Sequence, residues 1–178
     1  MAVLQKILEL LIPLQPEQEI IVSPAPATTY EIRPLTSKYI KELLHINQRC
    51  FRKGETYTKY TFSFLLSEPN TLSYRIETPT EEIVAFIFVT VSEDGVGHIT
   101  TIGVAPEHRR RGLAQKLLLH VEEALRERGI NTIVLEVRVD NKAAQNLYRQ
   151  MDYAVVQRLL KYYTNGEDGF LLVKFLLK

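Results

Sequence analysis

The stretch from His98 to Arg128 restricts the possible folds of this chain more than any other. His98-Ile99-Thr100-Thr101-Ile102-Gly103-Val104 is alternating and apolar, as a strand requires. Ala105-Pro106-Glu107-His108-Arg109-Arg110-Arg111-Gly112 follows as a turn, and Leu113 to Arg128 reads as an amphipathic helix whose first turn carries Gly112. The first N–H groups of a helix have no intrahelical partner and sit at the positive end of its dipole. Such an end binds anions, a diphosphate above all. Gly112 and Ala114 leave room for close approach, and Arg109, Arg110 and Arg111 add charge at the mouth. The alternative is a basic helix start on an ordinary surface.

The chain has 178 residues, enough for one domain with a real core. Lysine and arginine total 22 and aspartate and glutamate 21, a net charge of +1, which argues against a broad nucleic-acid surface. Cys50 is the one cysteine, so no intrachain disulfide can form, and a cytoplasmic setting is expected. No apolar run is long enough to span a membrane. Val3, Leu4, Ile7, Leu8, Leu11 and Ile12 follow helical spacing, and Lys6 and Glu9 interrupt what a signal peptide would need unbroken. This helix is expected to pack on the domain or on a second copy, giving a homodimer. With the Pro-rich arm that follows, it makes residues 1–29 an extension to a domain at 30–178.

Along that domain the spacing predicts a strand at Tyr30–Arg33, a helix near 38–50 capped by Thr36 or Ser37, and a short helix at 58–66. Strands at 72–77, 82–92 and 98–104 are separated by turns at Pro79-Thr80 and Asp94-Gly95. After the helix at 113–128, closed by Gly129, come a strand at 133–139, a helix at 142–151 and two strands near 154–162 and 170–177. The order β-α-α-β-β-β-α-β-α-β-β gives an α/β fold with a mixed, mostly antiparallel sheet and helices on both faces.

Arg109-x-x-Gly112-x-Ala114 after an apolar strand resembles the acetyl-CoA motif of the GNAT acetyltransferases, and Asn141, Ala144 and Leu147-Tyr148 resemble the family's second block. More narrowly, Leu135-Glu136-Val137-Arg138-Val139-x-Asn141, Gly97-His98-Ile99-Thr100 and Lys161-Tyr162-Tyr163-x-Asn165-Gly166-Glu167-Asp168 are similar to protein N-terminal acetyltransferases of the RimI and Ard types. The resemblance implies the GNAT acyl-CoA N-acyltransferase fold, acetyl-CoA as cosubstrate without a metal, and a protein or peptide N-terminus as acceptor, a ribosomal protein among the options. Charge and hydropathy speak against a nucleic-acid or membrane partner, membrane association of the helix at 1–14 being the weaker alternative because its polar face carries little positive charge. A GNAT enzyme acting on a small amine or lysine, and a non-catalytic acyl-CoA-binding module, are the rival readings.

The resemblance also implies roles. Main-chain groups of Ile102, Gly103 and Val104 would pair with the pantetheine arm, and those from Arg110 through Arg111, Gly112, Leu113 and Ala114 to Gln115 would hold the pyrophosphate, with Asn141 and Tyr148 also at the cofactor. Glu136 would be the general base and Tyr148 the general acid for the departing thiolate. Glu55 and Tyr57, in a loop at 53–57, and Tyr162 and Tyr163 would contact the peptide.

Elementary chemistry points the same way. Glu136 lies mid-strand between Leu135 and Val137, where a carboxylate is either catalytic or paired, with Arg138 or a helix residue. Freeing an α-amine of its proton near pH 7.4 costs roughly half a kcal/mol, against about 4 kcal/mol for lysine. One carboxylate therefore suffices for an N-terminus. Tyr148, Tyr162 and Tyr163 also admit a packing role, His98 is expected to be structural with proton transfer as the alternative, and Cys50 reads as core. Asp152 stands where the family often has glycine; aspartate tolerates the left-handed turn.

Overall fold

The computed structural model describes residues 22–51 and 55–176. The helix expected over residues 1–14 lies outside them, as do residues 53 and 54 of the expected peptide loop. From Val22 to Thr29 the chain has no regular structure, as four prolines over 13–29 foretold. Next come β1 (Glu31–Pro34), α1 (Ile40–Cys50), α2 (Lys59–Ser67), β2 (Thr71–Glu77), β3 (Ile83–Val91) and β4 (Val96–Val104). They are followed by α3 (Leu113–Glu127), β5 (Thr132–Arg138), α4 (Lys142–Gln150), β6 (Ala154–Leu159) and β7 (Gly169–Phe175). Neither Thr36 nor Ser37 caps α1. A single 3-10 turn at Ser37–Tyr39 leads in, and the helix starts two residues later than its pattern implied.

The seven strands form one sheet in the order β1-β2-β3-β4-β5-β7-β6, antiparallel everywhere except between β4 and β5. On one face α3 lays down Leu113, Leu117, Leu118, Val121 and Leu125 against Ile133, Leu135 and Val137 of β5 and Ala85, Ile87 and Val89 of β3. Each such fully buried aliphatic contributes about 1.5–3 kcal/mol. On the other face α1 and α2 pack Leu43, Ile46, Phe62 and Leu65 against Phe86 and Phe88. β3 is apolar on both sides because both of its faces are covered.

The parallel pair decides where a site can form. β4 and β5 are in register only from Val96↔Thr132 to His98↔Val134 and then separate. The cause lies in β4 itself. Its pairing with β3 jumps from Val89↔Ile99 to Phe88↔Thr101, so Thr100 is an extra residue. A bulge of this kind bends its strand and increases its twist. Past His98, residues 99–104 of β4 pair with no strand on the β5 side among the described residues.

A buried charge ties the far ends together. Glu122 of α3 is fully buried, accepting from Lys174 Nζ of β7 at 2.7 Å and from the Tyr153 hydroxyl at 3.2 Å. The Tyr153 ring meets Tyr148 edge-on at 5.6 Å. Asp152, just after α4, does take the left-handed conformation, with φ 64°.

Candidate active site

The notch between β4 and β5 opens into a long cleft. Every expected site residue lines it except Arg111. At one end is the turn from Arg109 to Leu113. Arg110 and Gly112 both have left-handed backbones, φ 63° and 73°, and Gly112 is the N-cap of α3. Lys116 N–H returns to Gly112 O at 2.9 Å, so the N–H groups of Leu113, Ala114 and Gln115 are those left over at the helix start. The exposed side chain of Arg110 stands beside them, and that of Arg109 is tied to Val104 O at 3.1 Å. This donor set suits a diphosphate.

Arg111 departs from expectation. Its guanidinium turns away from the cleft and donates to Pro26 O at 2.9 Å, to the Tyr30 hydroxyl at 2.6 Å and to Ala25 O. The carbonyls of the N-terminal arm satisfy it instead of a ligand. Only its main chain remains with the anion turn.

In the middle of the cleft, Glu136 stands on the opposite face of β5 from the buried Leu135 and Val137. Its Oε2 meets His98 Nε2 at 2.7 Å, not Arg138. This hydrogen bond first, and the imidazole's charge after it, hold the Glu136 carboxyl below the usual carboxylate range despite desolvation, and the Tyr162 hydroxyl facing the same group adds to this. Glu136 is therefore charged at neutral pH. His98 was expected to be structural; the parallel register sets its side chain and that of Glu136 together.

Tyr148 is buried on α4 and lines the cleft. Burial drives its phenol far above the ordinary value, so the hydroxyl keeps its proton. Asn141 Oδ1 caps α4 by accepting from Ala144 N–H at 3.0 Å, with its amide NH2 available to a ligand. Cys50, at the end of α1, also lines the cleft, and desolvation pushes its thiol up to about 11.

The aromatic end is built on Arg138. Its guanidinium is nine-tenths buried, bridges Glu55 at 2.8 Å and Glu167, approaches Asp140 at 3.4 Å, and lies over the Tyr163 ring at 4.4 Å. The sequence offers Arg138 only as a partner for Glu136; its bridges to Glu55 and Glu167 join loops distant in the chain. The pattern puts Tyr162 and Tyr163 at the end of a strand, but β6 stops at Leu159 and both lie in the loop beyond it. Asp168 makes that loop: it accepts from Lys161 N–H and Arg158, while Asn165 Oδ1 accepts from Glu167 N–H. The rings of Tyr162 and Tyr163 meet edge-on at 5.2 Å. Opposite them the Tyr57 hydroxyl donates to Thr100 O, the bulge residue, at 3.1 Å.

A strand leaving its neighbour, a helix start with a left-handed glycine, and a carboxylate in the notch form the setting of an acyl transferase. The model of the acetyltransferase (GNAT) family matches residues 40–153. The chain belongs to this family. It is similar to N-alpha-acetyltransferase 30 of Schizosaccharomyces pombe, with 30% identity over 142 residues, 78% of this chain and 93% of that protein. It is also similar to N-alpha-acetyltransferase daf-31 of Caenorhabditis elegans, with 36% identity over 126 residues, 67% of this chain and 69% of that one. Among solved structures, the ribosomal-protein-S18-alanine N-acetyltransferase from Escherichia coli superposes with a TM-score of 0.75 at 27% identity, covering 84% of this chain and 96% of that chain. This GNAT protein is thus an acetyltransferase, with the fold its sequence implied.

Proposed function

We propose that this acetyltransferase transfers acetyl from acetyl-CoA to the N-terminal amine of a protein or peptide, in the manner of RimI and Ard, by direct attack in a ternary complex. The observation that carries the reading is the Glu136–His98 pair, set in the notch between the anion turn and the aromatic end.

The residues fit acetyl-CoA. The helix-start N–H groups and the guanidiniums of Arg109 and Arg110 would take the diphosphate, and the open edge of β4 at 102–104 offers main-chain groups to an extended amide arm. Acetyl-CoA would supply the activated carbonyl. Glu136 would take the amine proton through a carboxylate oriented by His98 at Oε2 and faced by the Tyr162 hydroxyl. A carboxylate held charged is a weak base. It is adequate here because the nitrogen turns strongly acidic once its bond to the carbonyl carbon forms. Tyr148 donates to the departing sulfur. Burial keeps this phenol protonated and so able to donate.

Tyr57, Tyr162 and Tyr163 are rigid faces for the first residues of an extended peptide, and the Arg138 bridges to Glu55 and Glu167 hold the two loops that carry the acceptor end. A ribosomal protein is one candidate acceptor, given the substrate named for the similar Escherichia coli enzyme.

The test is acetyl-CoA turnover on short peptides that differ at their first two residues, each with its α-amine free and blocked. Turnover that disappears on blocking, with a preference at the first positions, supports the reading. Turnover indifferent to blocking contradicts it.

A further inference from the structure

Arg111 has a charge suited to a phosphate site, yet it spends its guanidinium on the N-terminal arm. Its Nη1 donates to Pro26 O and to the Tyr30 hydroxyl, and its Nη2 donates to Ala25 O. The Tyr30 hydroxyl, receiving from Arg111, meets His108 Nδ1 at 3.0 Å, and His108 is buried in the 3-10 turn that opens the anion loop. The arm is fastened a third time, by Ala25 N–H to Glu107 O at 2.9 Å. Residues 25–30 are therefore bound to both ends of the segment 107–111.

That segment needs holding. Arg110, directly before Arg111, is left-handed without being glycine, and Gly112, directly after it, is left-handed too. A side-chain-bearing residue pays about 1–2 kcal/mol for that conformation, a bias of roughly tenfold against the binding shape. The guanidinium between these two positions is the group placed to oppose the bias.

We propose that the N-terminal arm is a strut for the diphosphate turn, with Arg111 and Tyr30 as positioning residues that keep Arg110 and Gly112 in the anion-binding conformation. The inference rests on the reading of the turn as the acetyl-CoA phosphate site. It gives residues 22–30 a role in cosubstrate affinity without contact to the cosubstrate.

The test uses Tyr30→Phe and Arg111→Lys in the full chain. Both leave the charge at Arg111. The first removes the central hydroxyl, and the second replaces a fork able to reach several oxygens with a point charge. CoA binding is measured by titration calorimetry, with steady-state KM and kcat beside it and thermal midpoints to show folding. A strut predicts that the CoA Kd and the acetyl-CoA KM rise about tenfold in both variants, following the fraction of competent turn, while kcat at saturation holds. If the Arg111 charge instead acts directly on phosphate, both variants bind like wild type and the proposal falls. A loss confined to kcat also overturns it. Should Arg111→Lys fail to fold, Tyr30→Phe alone decides. Wild-type protein that binds no CoA would sink the underlying reading of the turn, and this failure is distinct because it precedes any variant.

Discussion

Glu136 is held charged by His98, and this fixes what its replacement should do. Glu136→Gln should lower kcat/KM by about 10²–10⁴-fold, the usual range for a positioned base. His98→Ala should lose part of this, and the double variant should be little worse than Glu136→Gln alone, because the two act as a unit. A double variant showing the product of the two losses would separate them. Because the carboxylate is charged well below neutrality, the rise of kcat/KM with pH should follow the α-amine, near pH 8, and shift with the basicity of the peptide's first residue. Cys50 gives an independent check. With its thiol pushed up to about 11 by burial, alkylation should be slow at pH 7–8 and quicken as pH approaches that value. Fast labelling at neutral pH would contradict the burial. The candidate base was legible in the sequence because a glutamate mid-strand has few reasons to be there. Its partner was not, since joining His98 to Glu136 needs the parallel register of two strands separated by a whole helix.

At the scale of elements, the cleft exists because one strand bends. Thr100 is the extra residue that takes β4 off β5, and no local pattern marks it: Ile99-Thr100-Thr101-Ile102 reads as ordinary strand. The helices were more legible, because periodicity is local, whereas caps were less so: Asn141 caps α4 as its residue type implies, Thr58 proves to be the cap of α2 rather than its first residue, and neither Thr36 nor Ser37 caps α1. Of the K-Y-Y-x-N-G-E-D string, which carries the family resemblance, only the two tyrosines are expected to meet the peptide, and much of the rest builds the loop that presents them. Two substitutions probe these elements. Gly103→Ala would set a Cβ 2.7 Å from the Phe86 ring and 3.1 Å from Cys50 Sγ. It should destabilise by about 1–3 kcal/mol, as overpacking does, in a denaturant midpoint measurement. Glu122→Ala strands the Lys174 ammonium beside α3 and should cost about 3–5 kcal/mol. Recovery of that loss by adding Lys174→Met would show that the stranded charge was its origin.

At the scale of the molecule, two covered sheet faces and one open seam divide the labour. The core clusters set the positions of β4, β5, α3 and α4, and the seam between them is free for chemistry. This architecture followed from the order of elements, whereas the fastening of the arm at 22–30 to the anion turn depends on contacts across more than eighty residues of chain. Acid stability carries the mark of the site. Glu136 has its folded value below the unfolded one, so its contribution is present above about pH 4.3 and is lost as pH falls through the lowered value. Wild type should therefore lose its advantage in thermal midpoint over Glu136→Gln between about pH 5 and pH 3. A constant difference across that range would deny the coupling.

The central claim is that the acceptor is an α-amine, and one peptide tests it most directly. The peptide carries a free N-terminus and an internal lysine, is incubated with acetyl-CoA and the full chain, and its acetyl group is located by fragmentation mass spectrometry. The account predicts acetyl on the first residue with the lysine unmodified. Acetyl on the lysine, or none on a panel of such peptides while spermidine or other small amines are turned over, would contradict it.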